Sequence, residues 1–168
     1  MRNRIQLEAL DRIDAALFDG SIDYDDDDDD DDLPPVAGDG SAAQPWIVDV
    51  LPFIHDGDTA MGEVRIDTSG CDDADQSGPE RTYVLELSEP RALRIIALDR
   101  EGVDVDVHVL ADSEAESCVA RGDHMVAGTL GAGVWQIVLD SWSDGAIDSP
   151  GRYLLAVVPC DADDPQCA

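Results

Sequence analysis

The stretch that most restricts what this chain can fold into is residues 102–110, GVDVDVHVL. Along an extended backbone Val103, Val105, Val107 and Val109 fall on one side, and Asp104, Asp106, His108 and Leu110 on the other. Four β-branched residues on one side predict a strand with one buried face, and the two Asp stand about 7 Å apart on the opposite, polar face. After Gln44 similar short apolar segments recur, cut by Gly, Pro and Asp. Strands are predicted near residues 47–53, 62–66, 82–87, 93–99, 103–110, 118–121, 124–130, 134–141 and 152–158. No long helical pattern separates them, so the spacing argues an antiparallel β-sandwich of about 8–9 strands rather than βαβ units. Two segments are apolar on both sides. Trp135, Ile137 and Leu139 alternate with Val134, Gln136, Val138 and Asp140, and Tyr153, Leu155 and Val157 with Arg152, Leu154, Ala156 and Val158. Both read as central strands with little contact with water.

Ahead of this domain, predicted to span residues 45–168, lie two segments of another kind. Residues 1–18 carry Ile5, Ala9, Leu10, Ile13 and Leu17 on one stripe at helical spacing, which predicts a short amphipathic helix. Residues 19–44 read as an acidic linker, expected to be extended and disordered. Ten of the fourteen residues from 19 to 32 are Asp, followed by two Pro and a Gly-rich passage. The whole chain has 39 acidic against 10 basic residues, all Arg, for a net charge of -29. Such a surface repels nucleic acid and anionic membranes, and favours cations or a basic partner. A salt-loving or GC-rich source accounts for the composition equally well. No apolar run approaches the ~20 residues of a membrane-spanning helix, and a monomer is the expectation.

The four cysteines, Cys71, Cys118, Cys160 and Cys167, lack the CxxC spacing of a zinc site or redox motif. Disulfides are the expectation. Three pairings are open, of which Cys160 with Cys167 closes a short loop and leaves Cys71 for Cys118. Disulfides require an oxidising compartment, yet residues 1–20 contain no apolar core of a secretion signal. The chain is then a piece of a larger exported protein, or its start is misplaced, or the thiols stay reduced.

The segments PWIVDVLPFIHDGDT, GPERTYVLEL, VDVDVHVL, GAGVWQIVLD and GRYLLAVV, in that order, resemble the bacterial pre-peptidase C-terminal domain. That family is related to the collagen-binding domains of clostridial collagenases. The resemblance spans about residues 45–160. Asp104 and Asp106 match the family's Asp-x-Asp-Leu strand, with Val107 where Leu is usual. Gly133, Val134 and Trp135 stand in place of Gly-Thr-Tyr, and Gly151 to Val157 match the closing Gly-x-Tyr-x-Leu strand. The resemblance implies a jelly-roll-like sandwich acting as a non-catalytic, secreted, periplasmic or cell-surface module attached to a peptidase or another surface protein. Some relatives bind calcium through acidic residues ahead of the first core strands, but those ligand motifs are not reproduced here.

The residues themselves offer candidate sites. Asp73, Asp75 and Ser77 followed by Gly78 read as D-x-D-x-S-G, which places oxygen ligands at the first, third and fifth positions of a calcium loop and Gly at the sixth. The twelfth position is Val84 instead of Glu, so Asp72 or Glu80 has to substitute. An ordinary solvated loop tied down by Cys71 is the competing reading. Asp104 and Asp106, with Asp99, form a second candidate cluster, set against a plain solvated strand face. His108 on that face has the chemistry for a His/carboxylate metal site, although a lone strand His is more often a surface residue. Trp142 and Tyr153 are candidates for contact with a protein or polysaccharide ligand, the latter against core packing. No Ser lies in a G-x-S-x-G elbow and HExxH is absent, so no enzyme is expected. Three functions remain: a calcium-stabilised extracellular accessory or binding module, a structural sandwich that helps a neighbouring domain fold or be exported, and an acidic interaction protein without calcium.

Overall fold

A computed structural model describes residues 35–66, 70, 71, 77–143, 149–161, 164 and 167. The expected helix at 1–18 and the Asp run lie outside them. Among the described residues the chain forms nine strands: β1 Trp46–Val48, β2 Phe53–Asp58, β3 Glu80–Leu87, β4 Arg91–Asp99, β5 Val105–Leu110, β6 Cys118–Gly122, β7 Met125–Leu130, β8 Gly133–Ser141 and β9 Arg152–Pro159. One sheet has the order β1-β3-β8-β5-β6, the other β2-β9-β4-β7. All pairings are antiparallel except that of β1 with β3. From β2 onward every connection crosses between the sheets except β5 to β6, which gives the jelly-roll sandwich that the strand spacing and the resemblance predicted.

The alternation read in the sequence decides what lies between the sheets. Tyr83, Leu85 and Leu87 of β3, Val105, Val107 and Val109 of β5, and Ile137 and Leu139 of β8 meet Leu93, Ile95, Ala97, Tyr153, Leu155 and Val157 of the other sheet in one apolar cluster. Each fully buried Val or Leu contributes about 1.5–3 kcal/mol, so the three valines of β5 alone matter on the scale of total stability. A hydrogen-bonded chain also joins the layers. Tyr153 Oη lies 2.9 Å from Tyr83 Oη, which lies 2.9 Å from His55 Nδ1.

Several expectations are corrected. The predicted strand at 47–53 is two strands, because Pro52 has no N–H for a ladder and the chain changes sheet there. Residues 62–66 form no strand beyond a bridge of Glu63 to Glu80, and instead lay Ile66 over the outer face of the five-stranded sheet. Ahead of the first strand at Trp46, residues 35–44 belong to the same compact unit as the sandwich, which runs from Pro35 to Ala168. Ile47 donates its N–H to Ala37 O, Thr82 to Gly40 O, and both Asp39 and Gly40 to Gln44 O. Gly38 and Gly40 adopt positive φ of 108° and 73°, and a side chain at Gly40 would meet the Trp46 ring at 2.5 Å. The Gly-rich passage read as linker is therefore a built turn. Finally, β5 has no wet face. Every residue from Val105 to Leu110 is buried, because β8 and β6 flank the strand while Ile66, and Cys71 through its bond to Cys118, lie on its outer side.

Candidate functional site

Burial of both faces of β5 turns its polar side into the most unusual chemistry among the described residues. Residues pointing away from the core stand in rows set by register. Glu80 of β3 is opposite Asp140 of β8, and Asp140 is opposite Asp106 of β5. In the next row Val138 faces His108, which faces Arg121. Neighbouring strands lie about 4.8 Å apart, so three carboxyl groups stand side by side with His108 diagonal to the middle one. All four residues are buried: Glu80 is 3%, Asp106 4%, His108 0% and Asp140 1% exposed.

Two of the carboxylates are compensated. Arg65 donates through Nε to Glu80 Oε1 at 3.0 Å, and the Ile66 N–H donates to Glu80 Oε2 at 3.0 Å. Arg121 donates to Asp106 Oδ2. Burial nevertheless raises the pKa of Glu80 and of Asp106, with the arginines opposing it. Asp140 has no such arginine. No side chain donates a hydrogen bond to its two oxygens, and His108 Nε2 lies 3.9 Å from Oδ2. Burial first, then the neighbouring Glu80 and Asp106, push its pKa up to about 9.

The cover over this row is fastened at several points. Ile66 packs on Leu110 and Val138, and Arg65 Nη1 donates to Ser113 O at 2.8 Å. Gly70 N–H donates to Ala115 O, and Cys71 is bonded to Cys118 with a Cα–Cα distance of 5.5 Å. Cys160 is bonded to Cys167, so both expected disulfides are present.

The predicted site residues separate on this framework. Asp72, Asp73 and Asp75 lie outside the described residues, while Ser77 and Glu80 flank the loop on its C-terminal side. The cluster of Asp99, Asp104 and Asp106 does not form one site. Asp99 accepts the Val105 N–H at 3.1 Å and lies 3.3 Å from His124 Nδ1, whereas Asp106 turns to Arg121. Asp104 precedes β5 and links the neighbouring loop through its backbone, which bonds to Ser149 and Trp142. The solvated strand face once weighed for Asp106 and His108 is corrected to a closed one. Tyr153 is 0% exposed and hydrogen-bonded to Tyr83, which removes it as a ligand contact; Trp142 is 38% exposed. Among the described residues no three His, Cys, Asp or Glu side chains are placed to share a metal ion. An apolar groove of about 220 Å³, lined by residues including Val119, Val126, Leu130 and Trp135, opens between edge strands β6 and β7. It is smaller than the ~300–1,000 Å³ of typical ligand pockets.

Asp140 was not singled out from the sequence, although the signal was there. A strand read as wet on neither side carries one charged residue, and that residue has to be buried.

No protein-family model matches the chain, and no curated protein matches it. Among solved structures it is similar to the pre-peptidase C-terminal domain of a collagenase from Bacillus anthracis, at 15% identity and a TM-score of 0.44, over 64% of this chain and 89% of that one. It is also similar to a GH26-CBM35 β-(1,4)-mannanase of Podospora anserina, at 12% identity and a TM-score of 0.33, over 67% of this chain and 29% of that one. The first is the domain type that the five sequence segments resemble.

Proposed function

We propose that this chain is a non-catalytic accessory module of an exported protein, stabilised by calcium. One observation carries the non-catalytic reading. The groups with the most perturbed chemistry, Glu80, Asp106, His108 and Asp140, are sealed under Ile66 and Arg65, where a substrate cannot reach them. They serve the scaffold. The two disulfides support an oxidising compartment.

Calcium enters through the loop pattern Asp73, Asp75, Ser77, Gly78. The described residues at its two ends support the reading. Cys71 is fixed to β6 by its disulfide, and Gly78 passes so close to Ser141 that a side chain there would meet Ser141 O at 2.0 Å. Ends held in this way reduce the entropy lost when acidic side chains gather around an ion. The test is thermal unfolding after EDTA treatment, in millimolar CaCl2, MgCl2 or NaCl at matched ionic strength. Calcium should raise Tm well beyond the other two, with a dependence following RT ln(1 + [L]/Kd). Asp73→Asn with Asp75→Asn should abolish the difference, whereas Asp28→Asn with Asp29→Asn should not. Equal responses to all three salts would leave charge screening alone and favour a purely structural sandwich.

A further inference from the structure

Phe53, His55 and Gly57 alternate along β2, so a titratable ring follows Phe53 into the apolar interior. His55 Nδ1 lies 2.9 Å from Tyr83 Oη, which lies 2.9 Å from Tyr153 Oη, and both tyrosines are fully buried. Trp46 of β1 packs on the imidazole, with ring centroids 4.4 Å apart. We propose that His55 is a pH-sensitive latch: neutral, it holds Trp46 and the strap of residues 37–48 against β3, and protonated, it releases them.

Hydrogen-bond direction makes this chain of three groups sensitive to one proton. Among the described residues Tyr83 is the partner of Tyr153 Oη, and Gly57 passes so close that a side chain there would meet that oxygen at 2.5 Å. The Tyr153 hydroxyl is satisfied as a donor only when it donates to Tyr83 Oη, which leaves the Tyr83 O–H to donate to His55 Nδ1. His55 then carries its own proton on Nε2. An imidazolium has an N–H at both nitrogens, so Nδ1 donates to Tyr83, Tyr83 turns to Tyr153, and the buried Tyr153 O–H is left without an acceptor. Of the surrounding charges, Asp56 favours the cation but is paired with Arg152, and Arg81, bonded to Asp58 O and Asp39 O, lies over the Trp46 ring. β1 carries no charge of its own. Burial outweighs Asp56 and holds the imidazole pKa below its ordinary 6.5. The strap is the part that gives way. β2 pairs with β9 along all six of its residues, whereas β1 has three residues at the edge of its sheet. Thr82 N–H to Gly40 O, Arg81 to Asp39 O, and the Trp46 ring against His55 and Tyr83 hold the strap down, so an imidazolium regains water by displacing Trp46.

The test follows the full chain by NMR from about pH 7.5 to pH 5, reading the imidazole of His55 together with amide hydrogen exchange corrected for its intrinsic rate. The Ile47 and Thr82 amides, bonded to Ala37 O and Gly40 O, report on the strap, and those of Ile95 and Val157, paired between β4 and β9, on the core. Because the latch is neutral when closed, strap protection is fully present above pH 6.5 and should fall by up to about tenfold per pH unit below it, until His55 is charged in the closed state as well. Core protection should not fall with it. His55→Asn keeps an acceptor for Tyr83 and has no proton to gain, so its strap should stay closed across the range. Tyr83→Phe removes the hydroxyl that sets the direction of donation, so His55 should titrate closer to its ordinary value than in the wild type. If His55→Asn opens the strap already at pH 7.5, the Tyr83→Phe titration decides. Overturning results are strap protection that does not change with pH, an equal fall in His55→Asn, a core that opens in step with the strap, or a His55 that titrates at or above pH 6.5, held as a cation by Asp56 and the Trp46 ring.

Discussion

Replacing Asp140 by Asn in metal-free protein should stabilise the fold at neutral pH, and by an amount that grows as pH rises. In the folded chain Asp140 holds its proton up to about pH 9, whereas its unperturbed value is 3.8. Below pH 4 the carboxyl is protonated in both states and contributes nothing to pH dependence. As pH rises, the unfolded chain releases the proton while the folded chain keeps it, so stability falls by ~1.4 kcal/mol per pH unit until about pH 9. At pH 7 the accumulated loss is about 4 kcal/mol, a large part of the 5–15 kcal/mol typical of a domain. Asn has the same shape and no proton to lose, so the variant escapes this loss. Glu80 and Asp106 also have raised pKa values and slope in the same direction, as does self-repulsion at net charge -29. The informative quantity is thus the difference between wild type and variant. Urea unfolding in EDTA from pH 4 to 9 at constant ionic strength measures it: the two stabilities should be close at pH 4 and diverge steadily above it. Parallel curves, or a variant that is less stable at pH 8, would refute the account of Asp140 as a buried acid that keeps its proton.

Other outcomes follow from the same structure. Replacing Cys71 and Cys118 by Ser opens a loop of sequence separation 47 and should cost ~4 kcal/mol by the loop-entropy relation, against about 2–3 for Cys160 and Cys167 at separation 7; urea unfolding of each double variant measures both. A chain starting at Pro35 should be more stable than one starting at Pro45 by a few kcal/mol. The shorter one loses the bonds of Ala37 O to Ile47, Gly40 O to Thr82 and Asp39 O to Arg81, at about 1 kcal/mol each, and the packing of Val36 on the core; equal melting temperatures would mean that residues 35–44 are not part of the folded unit. Tyr83→Phe should cost ~1–3 kcal/mol, because it leaves Tyr153 Oη and His55 Nδ1 without the hydroxyl that joins them inside the sandwich.

The fold was legible where side-chain alternation alone decides which way a strand faces. Val103 to Val109, Ile137 and Leu139, and Tyr153 to Val157 point into the core as their period of two requires. The sandwich followed from those segments, whereas the count of nine strands matches because the split at Pro52 offsets the missing strand at 62–66. Legibility failed where the chain meets something distant in sequence. Glu63 to Ile66 has the apolar spacing of a strand, but Ile66 is used to cap Leu110 and Val138, more than forty residues away. Residues 37–44 have the composition of a linker because two positions need positive φ, and composition does not separate a glycine that gives freedom from one that a tight turn demands.

The same limit explains why the acidic row was missed while its members were partly named. Asp106 and His108 look like a wet face because polar residues alternating with valine normally are one. Whether that face is wet depends on the segment laid across it, and that segment is fastened by long-range contacts: Arg65 with Glu80, Ile66 with Leu110, Cys71 with Cys118. Once the cover is in place, every polar group beneath it needs a partner. Two arginines answer for Glu80 and Asp106, and none answers for Asp140. In a chain with only 10 basic residues against 39 acidic ones, a buried carboxyl left to a proton is the expected consequence of the composition. That proton makes the row lose stability as pH rises, and the pH dependence of Asp140→Asn against wild type therefore reports whether the sealed row holds it.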